Sequence, residues 1–145
     1  MNSEIQILIA DDDSEDVSLI KEALNENKIV NKVQRVANGE ELMDYLRNRG
    51  NYSNKEKYPL PGIIMLDLNM PKMDGREALK EIKGDASLCT IPIIIFTTSS
   101  NEKDLNLSYQ FGANSYISKP VTFYSMVELM RSISNYWLQT VELPS

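Results

Sequence analysis

The middle of the chain carries the stretch GIIMLDLNMPKMDG, residues 62–75. Its first half is almost entirely apolar, which is typical of a strand that is buried on both faces of a parallel sheet. One carboxylate, Asp67, ends this apolar run, and residues 69–75 combine asparagine, proline and glycine in a segment that favours neither helix nor strand. The stretch therefore predicts a central strand that ends in an acidic side chain and a turn.

The same alternation of strand and helix patterns extends in both directions from this stretch. We predict strands at residues 5–10, 33–37, 62–67, 93–97 and 115–118. We predict helices from residue 13 or 14 onward, and at residues 41–49, 76–83, 100–112 and 122–138. Each return between parallel strands needs a crossover, so this order implies one parallel sheet that is covered by helices on both faces. The sequence predicts a single three-layer α/β domain, interrupted by a polar loop insertion at residues 49–61.

Residue counts exclude several classes of chemistry. The 145 residues include no histidine and a single cysteine, Cys89, so we exclude Ser-His-Asp and Cys-His nucleophiles, imidazole-based zinc sites and an internal disulfide. The formal net charge of −6 argues against a nucleic-acid partner. Every apolar run is far shorter than the roughly 20 residues of a membrane span, and the N-terminus has no basic leader. We therefore expect a cytoplasmic location and no membrane partner.

Polar side chains follow four of the predicted strands at the points where those strands end. Because the carboxyl ends of parallel strands meet at one edge of a sheet, we expect these side chains to share a shallow crevice. In chain order they are Asp11, Asp12, Asp13, Asp67, Thr97, Thr98 and Lys119.

Clustered carboxylates repel one another unless a proton or a cation neutralises them, and oxygen ligands favour Mg²⁺ or Mn²⁺. The charges of Asp11, Asp12 and Asp67 sum to −3; a divalent ion brings the sum to −1 and Lys119 brings it to zero. Such a site is suited to receive a phosphoryl group, with Asp67 as the nucleophile. Alone, an aspartate at a strand end is more often a turn or cap residue, Thr97 could be an ordinary strand residue, and Lys119-Pro120 could simply stop a strand. Their joint occurrence at successive strand ends favours a shared site.

At these residues the sequence resembles the receiver domains of bacterial two-component response regulators. This resemblance implies a CheY-like, doubly wound sheet of the flavodoxin-like order, and a single receiver domain over residues 1–145 with its core at about 5–138 and a C-terminal extension at 139–145. The likeness spans about residues 6–138 and rests on Asp11-Asp12, residues 66–71, residues 73–75, Thr97, Tyr116 and Lys119-Pro120.

The resemblance also implies roles for these residues. Asp67 would accept a phosphoryl group from the phospho-histidine of a sensor histidine kinase, and Thr97 and Lys119 would hold phosphoryl oxygens. Thr97 and Tyr116 would form a switch, in which the tyrosine ring rotates inward and remodels the C-terminal helical face. The Lys119–Pro120 peptide would be cis, which only proline makes inexpensive. The implied ligands of Mg²⁺, or Mn²⁺, are Asp12, Asp67, the backbone carbonyl of Asn69 and, largely through bound water, Asp11.

A closer likeness is to single-domain regulators of the cyanobacterial phytochrome-associated type, on residues 49–61, 97–102 and 136–144. We therefore expect a sensor histidine kinase, of the phytochrome or another sensory type, and a downstream protein target. Only seven residues follow Leu138, so we expect no output domain there. Two interpretations stay open for the last apolar residues, Trp137, Leu138, Val141 and Leu143. They either fold back on the domain or form a symmetric homodimer through residues 122–143.

Two other functional classes use a similar sheet. Phosphatases of the haloacid-dehalogenase type usually carry a second aspartate two residues after the nucleophile, where this chain has Asn69. A flavodoxin-like flavin binder needs a phosphate loop after the first strand, and the acids at residues 11–13 would repel the flavin phosphate. A degenerate receiver that only binds partners is disfavoured because each phosphorylation residue is present.

Overall fold

The computed structural model describes residues 5–144, and the ends of the predicted domain, residues 1–4 and 145, lie outside this range. Within it, five strands alternate with five α-helices. In chain order the elements are β1 Ile7–Ala10, α1 Ser14–Glu26, β2 Val33–Val36, α2 Gly39–Leu46, a 3₁₀ turn Gly50–Tyr52, β3 Ile63–Leu66, α3 Gly75–Lys83, β4 Ile93–Thr97, α4 Glu102–Gln110, β5 Ser115–Ser118, α5 Phe123–Ile133 and a π-helical segment Ser134–Thr140. Within residues 5–144, no helix combines the length and the apolar composition that a membrane span requires.

The five strands form one parallel sheet in the order β2-β1-β3-β4-β5, which confirms the predicted fold class and its flavodoxin-like strand order. The register determines which strand ends meet. Ala10 pairs with Leu66, so Asp11 and Asp67 leave the sheet side by side. Thr97 pairs with Ser118, and Lys119 therefore begins next to the end of β4.

Both faces of the sheet are packed against helices. Helices α1 and α5 cover one face, against Ile7 and Ile9 of β1, while α2 and α3 cover the other, against Leu8 and Ala10. Successive side chains of a strand point to opposite faces of the sheet. When helices cover both faces, every position of a central strand is therefore buried and needs an apolar residue. This explains why β1, β3 and β4 are continuous apolar runs.

The C-terminal segment departs from the predicted helix at residues 122–138. The α-helix ends at Ile133, and the chain continues as a π-helix to Thr140. Leu138 is 6% exposed and belongs to the core cluster between the sheet and helices α1 and α5. Trp137 packs against the same cluster. For these two residues the structure supports folding back on the domain.

The insertion at residues 49–61 is held by aromatic packing rather than left as a free loop. The rings of Tyr45, Tyr52 and Tyr58 contact one another with centroid distances of 4.9–5.6 Å. Asn48, which adopts a left-handed backbone conformation with φ of 51°, donates from its side-chain amide to the backbone carbonyls of Tyr52 and Tyr58. The insertion is therefore fixed to the C-terminal end of α2.

A close backbone approach at Gly75 positions the end of β3. A Cβ atom added at Gly75 would overlap the backbone carbonyl oxygen of Asp67 and lie 2.7 Å from the Cα atom of Leu68. The Gly75 amide also donates to the Leu68 carbonyl at 2.9 Å. Because α3 starts in direct contact with the backbone of Asp67, a side chain at position 75 would displace that backbone.

We expect Gly75→Ala to lower the free energy of unfolding by about 1–3 kcal/mol or more, because the new methyl group overlaps backbone that cannot rotate away. Urea unfolding measures the loss. Gly84→Ala is the matched control at the other end of α3, where the added Cβ would lie 3.2 Å from the Lys80 carbonyl oxygen and φ is −87°. It should change stability by less than about 1 kcal/mol. Equal losses in the two variants would contradict this interpretation.

Candidate functional site

The charged residues of the site follow the carboxyl ends of β1, β3 and β5, and hydrogen bonds continue the sheet ladder by one residue at each of these ends. The Asp11 amide donates to the Val36 carbonyl at 3.0 Å, and the Asp67 amide donates to the Ala10 carbonyl at 2.9 Å. The Lys119 amide donates to the carbonyl of Thr97 at 2.8 Å. The backbone of each charged residue is thus fixed to its neighbouring strand, while its side chain projects beyond the sheet.

One ammonium group lies among three carboxylates at this edge. Lys119 Nζ is 2.8 Å from Asp11 Oδ2, 2.8 Å from Asp16 Oδ2 and 3.1 Å from Asp67 Oδ2. The side chains of Lys119, Asp11 and Asp67 are only 6%, 2% and 8% exposed. Buried charges are costly unless they are paired, and each of these three contacts of the Lys119 ammonium joins opposite charges.

Burial and pairing act against each other on these groups. Burial alone would lower the pKa of Lys119, but its hydrogen bonds to Asp11 and Asp16 outweigh burial and raise that pKa. Burial also raises the pKa of the Asp11 carboxyl, and the hydrogen bond from Lys119 offsets this only in part. The ammonium is therefore held in its charged form at neutral pH.

The three acids Asp11, Asp12 and Asp67 converge, with one carboxylate oxygen of each within 4.8 Å of the others. Asp12 is exposed, while the other two are buried, so the group is open to solvent on one side. An oxygen-only donor set with an open side fits a hard divalent cation such as Mg²⁺ or Mn²⁺. Asn69 lies beside the group, and its amide donates to Asp67 Oδ1 at 3.2 Å.

Thr97 and Tyr116 are connected through Ser99. Thr97 is fully buried, and its Oγ1 accepts a hydrogen bond from the Ser99 amide at 3.3 Å. The Tyr116 hydroxyl donates to the Ser99 carbonyl at 2.9 Å. The end of β4 and the aromatic ring on β5 are therefore joined by the backbone of a single residue.

Comparison with known proteins identifies the family. A family model described as the response regulator receiver domain matches residues 7–131. The chain belongs to the response regulator receiver family. It is 37% identical over 139 residues to the response regulator Rcp1 of Synechocystis sp., and this alignment covers 96% of the chain and 92% of that protein.

Two solved structures support the same assignment. The phosphorylated cyanobacterial phytochrome response regulator RcpA is 40% identical to this receiver domain, with a TM-score of 0.91 over 98% of this chain and 99% of that one. The Mn(2+)-bound form of Rcp1 is 37% identical, with a TM-score of 0.88 over 97% of this chain and 99% of that one.

The predicted cis peptide at Lys119–Pro120 is contradicted by the structure. The peptide is trans, as are all others within residues 5–144. The prediction rested on the family resemblance alone, and the trans form of a bond before proline is favoured by about 0.5–1 kcal/mol unless tertiary contacts oppose it. In this receiver domain Lys119 reaches Asp11 and Asp67 from a trans peptide.

Sequence reasoning missed Asp16 as a partner of Lys119. Asp13 caps α1 by accepting hydrogen bonds from the amides of Glu15 and Asp16, so Asp16 lies in the first helical turn. Acidic residues are ordinary in that turn because they interact favourably with the helix dipole. No pattern in the sequence separates this role from a bond to an ammonium that follows β5, 103 residues later.

We expect Lys119→Met to lower the free energy of unfolding by about 3–5 kcal/mol in metal-free buffer, because it leaves buried carboxylates without a counter-charge. Lys83→Met is the matched control. Lys83 is also partly buried, but its ammonium donates only to the backbone carbonyls of Cys89 and Ile91. Removing the Lys83 ammonium should lower the free energy of unfolding by about 1–3 kcal/mol. Urea unfolding of both variants measures the difference. A loss in Lys119→Met that does not exceed the control would contradict the electrostatic role.

Proposed function

We propose that this receiver domain is a stand-alone response regulator that accepts a phosphoryl group on Asp67 from the phospho-histidine of a sensor histidine kinase. One observation carries the proposal. The nearly buried carboxylate of Asp67 lies with Asp11 and Asp12 within 4.8 Å and with the Lys119 ammonium at 3.1 Å. The carboxylate of Asp67 can act as the nucleophile, and the ammonium of Lys119 can compensate negative charge on the phosphoryl group that it receives. This arrangement suits phosphoryl transfer to a carboxylate.

In the proposed transfer, one oxygen of Asp67 attacks phosphorus. The new O–P bond forms while the P–N bond to the kinase imidazole breaks, and the imidazole leaves with the electron pair of that bond. Lys119 compensates charge on the phosphoryl oxygens, and the hydroxyl of Thr97 donates to another of them. The product is an aspartyl phosphate, which the same domain slowly hydrolyses.

The acidic residues are proposed to hold Mg²⁺ or Mn²⁺ through Asp12, Asp67, the backbone carbonyl of Asn69 and, largely through water, Asp11. Their oxygen donors and mutual distances support this assignment. When bound, the ion reduces carboxylate repulsion and stabilises negative charge on the phosphoryl oxygens. Rcp1, which is similar to this chain over 97% of the chain, has been solved in a Mn(2+)-bound form.

We propose that Thr97 and Tyr116 transmit the phosphorylated state to the C-terminal helical face. A Thr97 hydroxyl that turns toward the phosphoryl group changes its contact with the Ser99 amide, now 3.3 Å long. The carbonyl of Ser99 is the acceptor of the Tyr116 hydroxyl, so the change reaches the ring on β5. The signal is a population shift, because phosphoryl contacts that differ between two arrangements change their ratio.

The partners follow from the same proposal. A sensor histidine kinase of the phytochrome type is supported by the similarity to RcpA, which is a cyanobacterial phytochrome response regulator. We propose a cytoplasmic location and a protein as the downstream target, since the net charge of −6 disfavours nucleic acid.

Homodimerisation through residues 122–143 is proposed in a narrower form than the sequence predicted. Leu138 is in the core, so the contact would use the exposed rings of Tyr124 and Tyr136, which are 74% and 54% exposed. Aromatic side chains of this kind are enriched in interfaces between subunits.

We expect the wild type to sediment as a dimer, and the variant Tyr124→Ser with Tyr136→Ser to sediment as a monomer, because the substitutions remove the aromatic contacts. Analytical ultracentrifugation decides between them. Val30→Ser, at an apolar side chain that is 83% exposed between α1 and β2, is the control and should leave the dimer intact. A monomeric wild type, or a dimer that survives both tyrosine substitutions, would exclude this interface.

The phosphorylation test compares intact masses after incubation with Mg²⁺ and acetyl phosphate. We expect the wild type to gain the mass of one labile phosphoryl group and Asp67→Asn to gain none, because the amide is not a nucleophile. Chelating the divalent cation with EDTA should slow the gain by more than about tenfold, since the carboxylates then repel the donor.

Asp13→Asn is the matched control for this test. It removes a neighbouring negative charge, yet asparagine caps a helix as well as aspartate does, so α1 should remain intact. The control should gain the phosphoryl group as the wild type does. Phosphorylation of Asp67→Asn, or a rate that EDTA leaves unchanged, would refute the proposed chemistry.

A further inference from the structure

An ion pair between the first turns of α3 and α4 lies directly beside the proposed switch. Arg76 Nε is 2.7 Å from Asp104 Oδ1, and Arg76 Nη2 is 2.7 Å from Asp104 Oδ2. Such paired parallel hydrogen bonds fix both position and orientation. Arg76 Nη1 also donates to the carbonyl of Leu68, the residue after Asp67, at 3.4 Å.

The same carboxylate holds the segment that joins β4 to α4. Asp104 Oδ2 accepts a hydrogen bond from the hydroxyl of Ser99 at 2.8 Å. Ser99 is thereby held through three groups: its hydroxyl by Asp104, its amide by Thr97 and its carbonyl by Tyr116. A continuous series of hydrogen bonds therefore runs from the residue next to Asp67 to the tyrosine ring on β5.

The burial of Asp104 distinguishes this pair from an ordinary surface contact. The Asp104 side chain is 12% exposed, and Asp104 and Ser108 are the two buried residues of α4. Hydrogen bonds from Arg76, with smaller contributions from Ser99, lower the pKa of Asp104 despite burial. Exposed ion pairs contribute little to stability, but a nearly buried carboxylate that loses its partners becomes costly.

In this structure the Tyr116 ring is partly buried and packs against the core, which is the inward arrangement. We propose that Arg76 and Asp104 are positioning residues that hold Ser99 where it engages Thr97 and Tyr116, and so favour this arrangement of the ring. The inference rests on the proposed function, in which Thr97 and Tyr116 are the switch. It adds a second input to that switch, because the ion pair links the backbone next to Asp67 to the position of Ser99. Without the pair, Ser99 keeps its backbone groups but loses the contact that orients them.

The inference predicts that breaking the pair releases Tyr116 toward solvent. We would label the protein with 3-fluorotyrosine, assign the Tyr116 resonance by Tyr116→Phe, and record fluorine NMR spectra of Asp104→Asn, Arg76→Gln and the double variant. The ratio of inward to outward arrangements should fall about fivefold or more, in the range of typical coupling between sites. The Tyr116 signal should move toward that of the exposed Tyr124, and the double variant should match the single variants because all three remove the same interaction.

Ser99→Ala separates positioning from general stability. It leaves the Arg76–Asp104 pair intact and removes the hydroxyl that Asp104 holds, together with the 3.3 Å hydrogen bond that this hydroxyl accepts from the Asn101 amide. It should move the Tyr116 signal in the same direction. Arg47→Gln is the matched control. Arg47 also joins two elements through two carboxylates, Glu81 and Asp85, and its side chain is 31% exposed against 33% for Arg76, but it lies away from Ser99.

The Tyr116 signal should be unchanged in Arg47→Gln. The inference is overturned if Asp104→Asn unfolds more easily yet leaves the Tyr116 signal unchanged, or if Arg47→Gln moves that signal equally. The proposed function is tested by a different experiment. If it is wrong, the wild type is not phosphorylated by acetyl phosphate, whereas the fluorine spectra are recorded without a phosphodonor and do not depend on that result.

Discussion

The ammonium of Lys119 among the carboxylates of Asp11, Asp16 and Asp67 is the interaction on which the site depends. A doubly wound parallel sheet directs the residues after adjacent strands to one edge, and here two of those residues are buried acids. Removing these charges from water would be unfavourable without a compensating cation. Lys119 supplies that cation from the end of β5, and the sheet register brings it there.

The backbone around Asp67 is closely packed on both sides. Asp67 is fixed on one side by its ladder hydrogen bond to Ala10 and on the other by the close approach of Gly75. A carboxylate on a backbone held this tightly keeps its position relative to Lys119 without further reorganisation, which suits the proposed role of Asp67 as the phosphoryl acceptor. Membership of the receiver family and the geometry of the site therefore lead to the same proposed chemistry.

A second polar assembly lies beside the first and has a different composition. The Arg76–Asp104 pair joins two helices rather than two strand ends, and Ser99 links it to Thr97 and Tyr116. The assembly around Lys119 is suited to hold a phosphoryl group. The assembly around Asp104 is suited to hold the segment that joins β4 to α4. Their shared boundary is the backbone of Leu68, next to Asp67, which accepts a hydrogen bond from Arg76.

Local pattern was sufficient to predict most of the secondary structure, because a strand covered on both faces is continuously apolar and an amphipathic helix is periodic. It was insufficient for the C-terminal segment, where Leu138 completes a core that α1 and α5 build together. The sequence predicted a polar loop at residues 49–61, but not the aromatic packing of Tyr45, Tyr52 and Tyr58 that holds it, because such packing leaves no periodic signal.

The sequence by itself determined the parallel sheet and the acids, hydroxyl and lysine that follow its strands, since strand ends on one edge must meet. Only the tertiary structure decided how these groups pair. Asp16 joins Lys119, Asp104 joins Arg76 and Ser99, and the bond before Pro120 is trans. The physical reason is that hydrogen bonds and ion pairs depend on distances of a few ångströms between residues far apart in the chain, which neither periodicity nor family resemblance specifies.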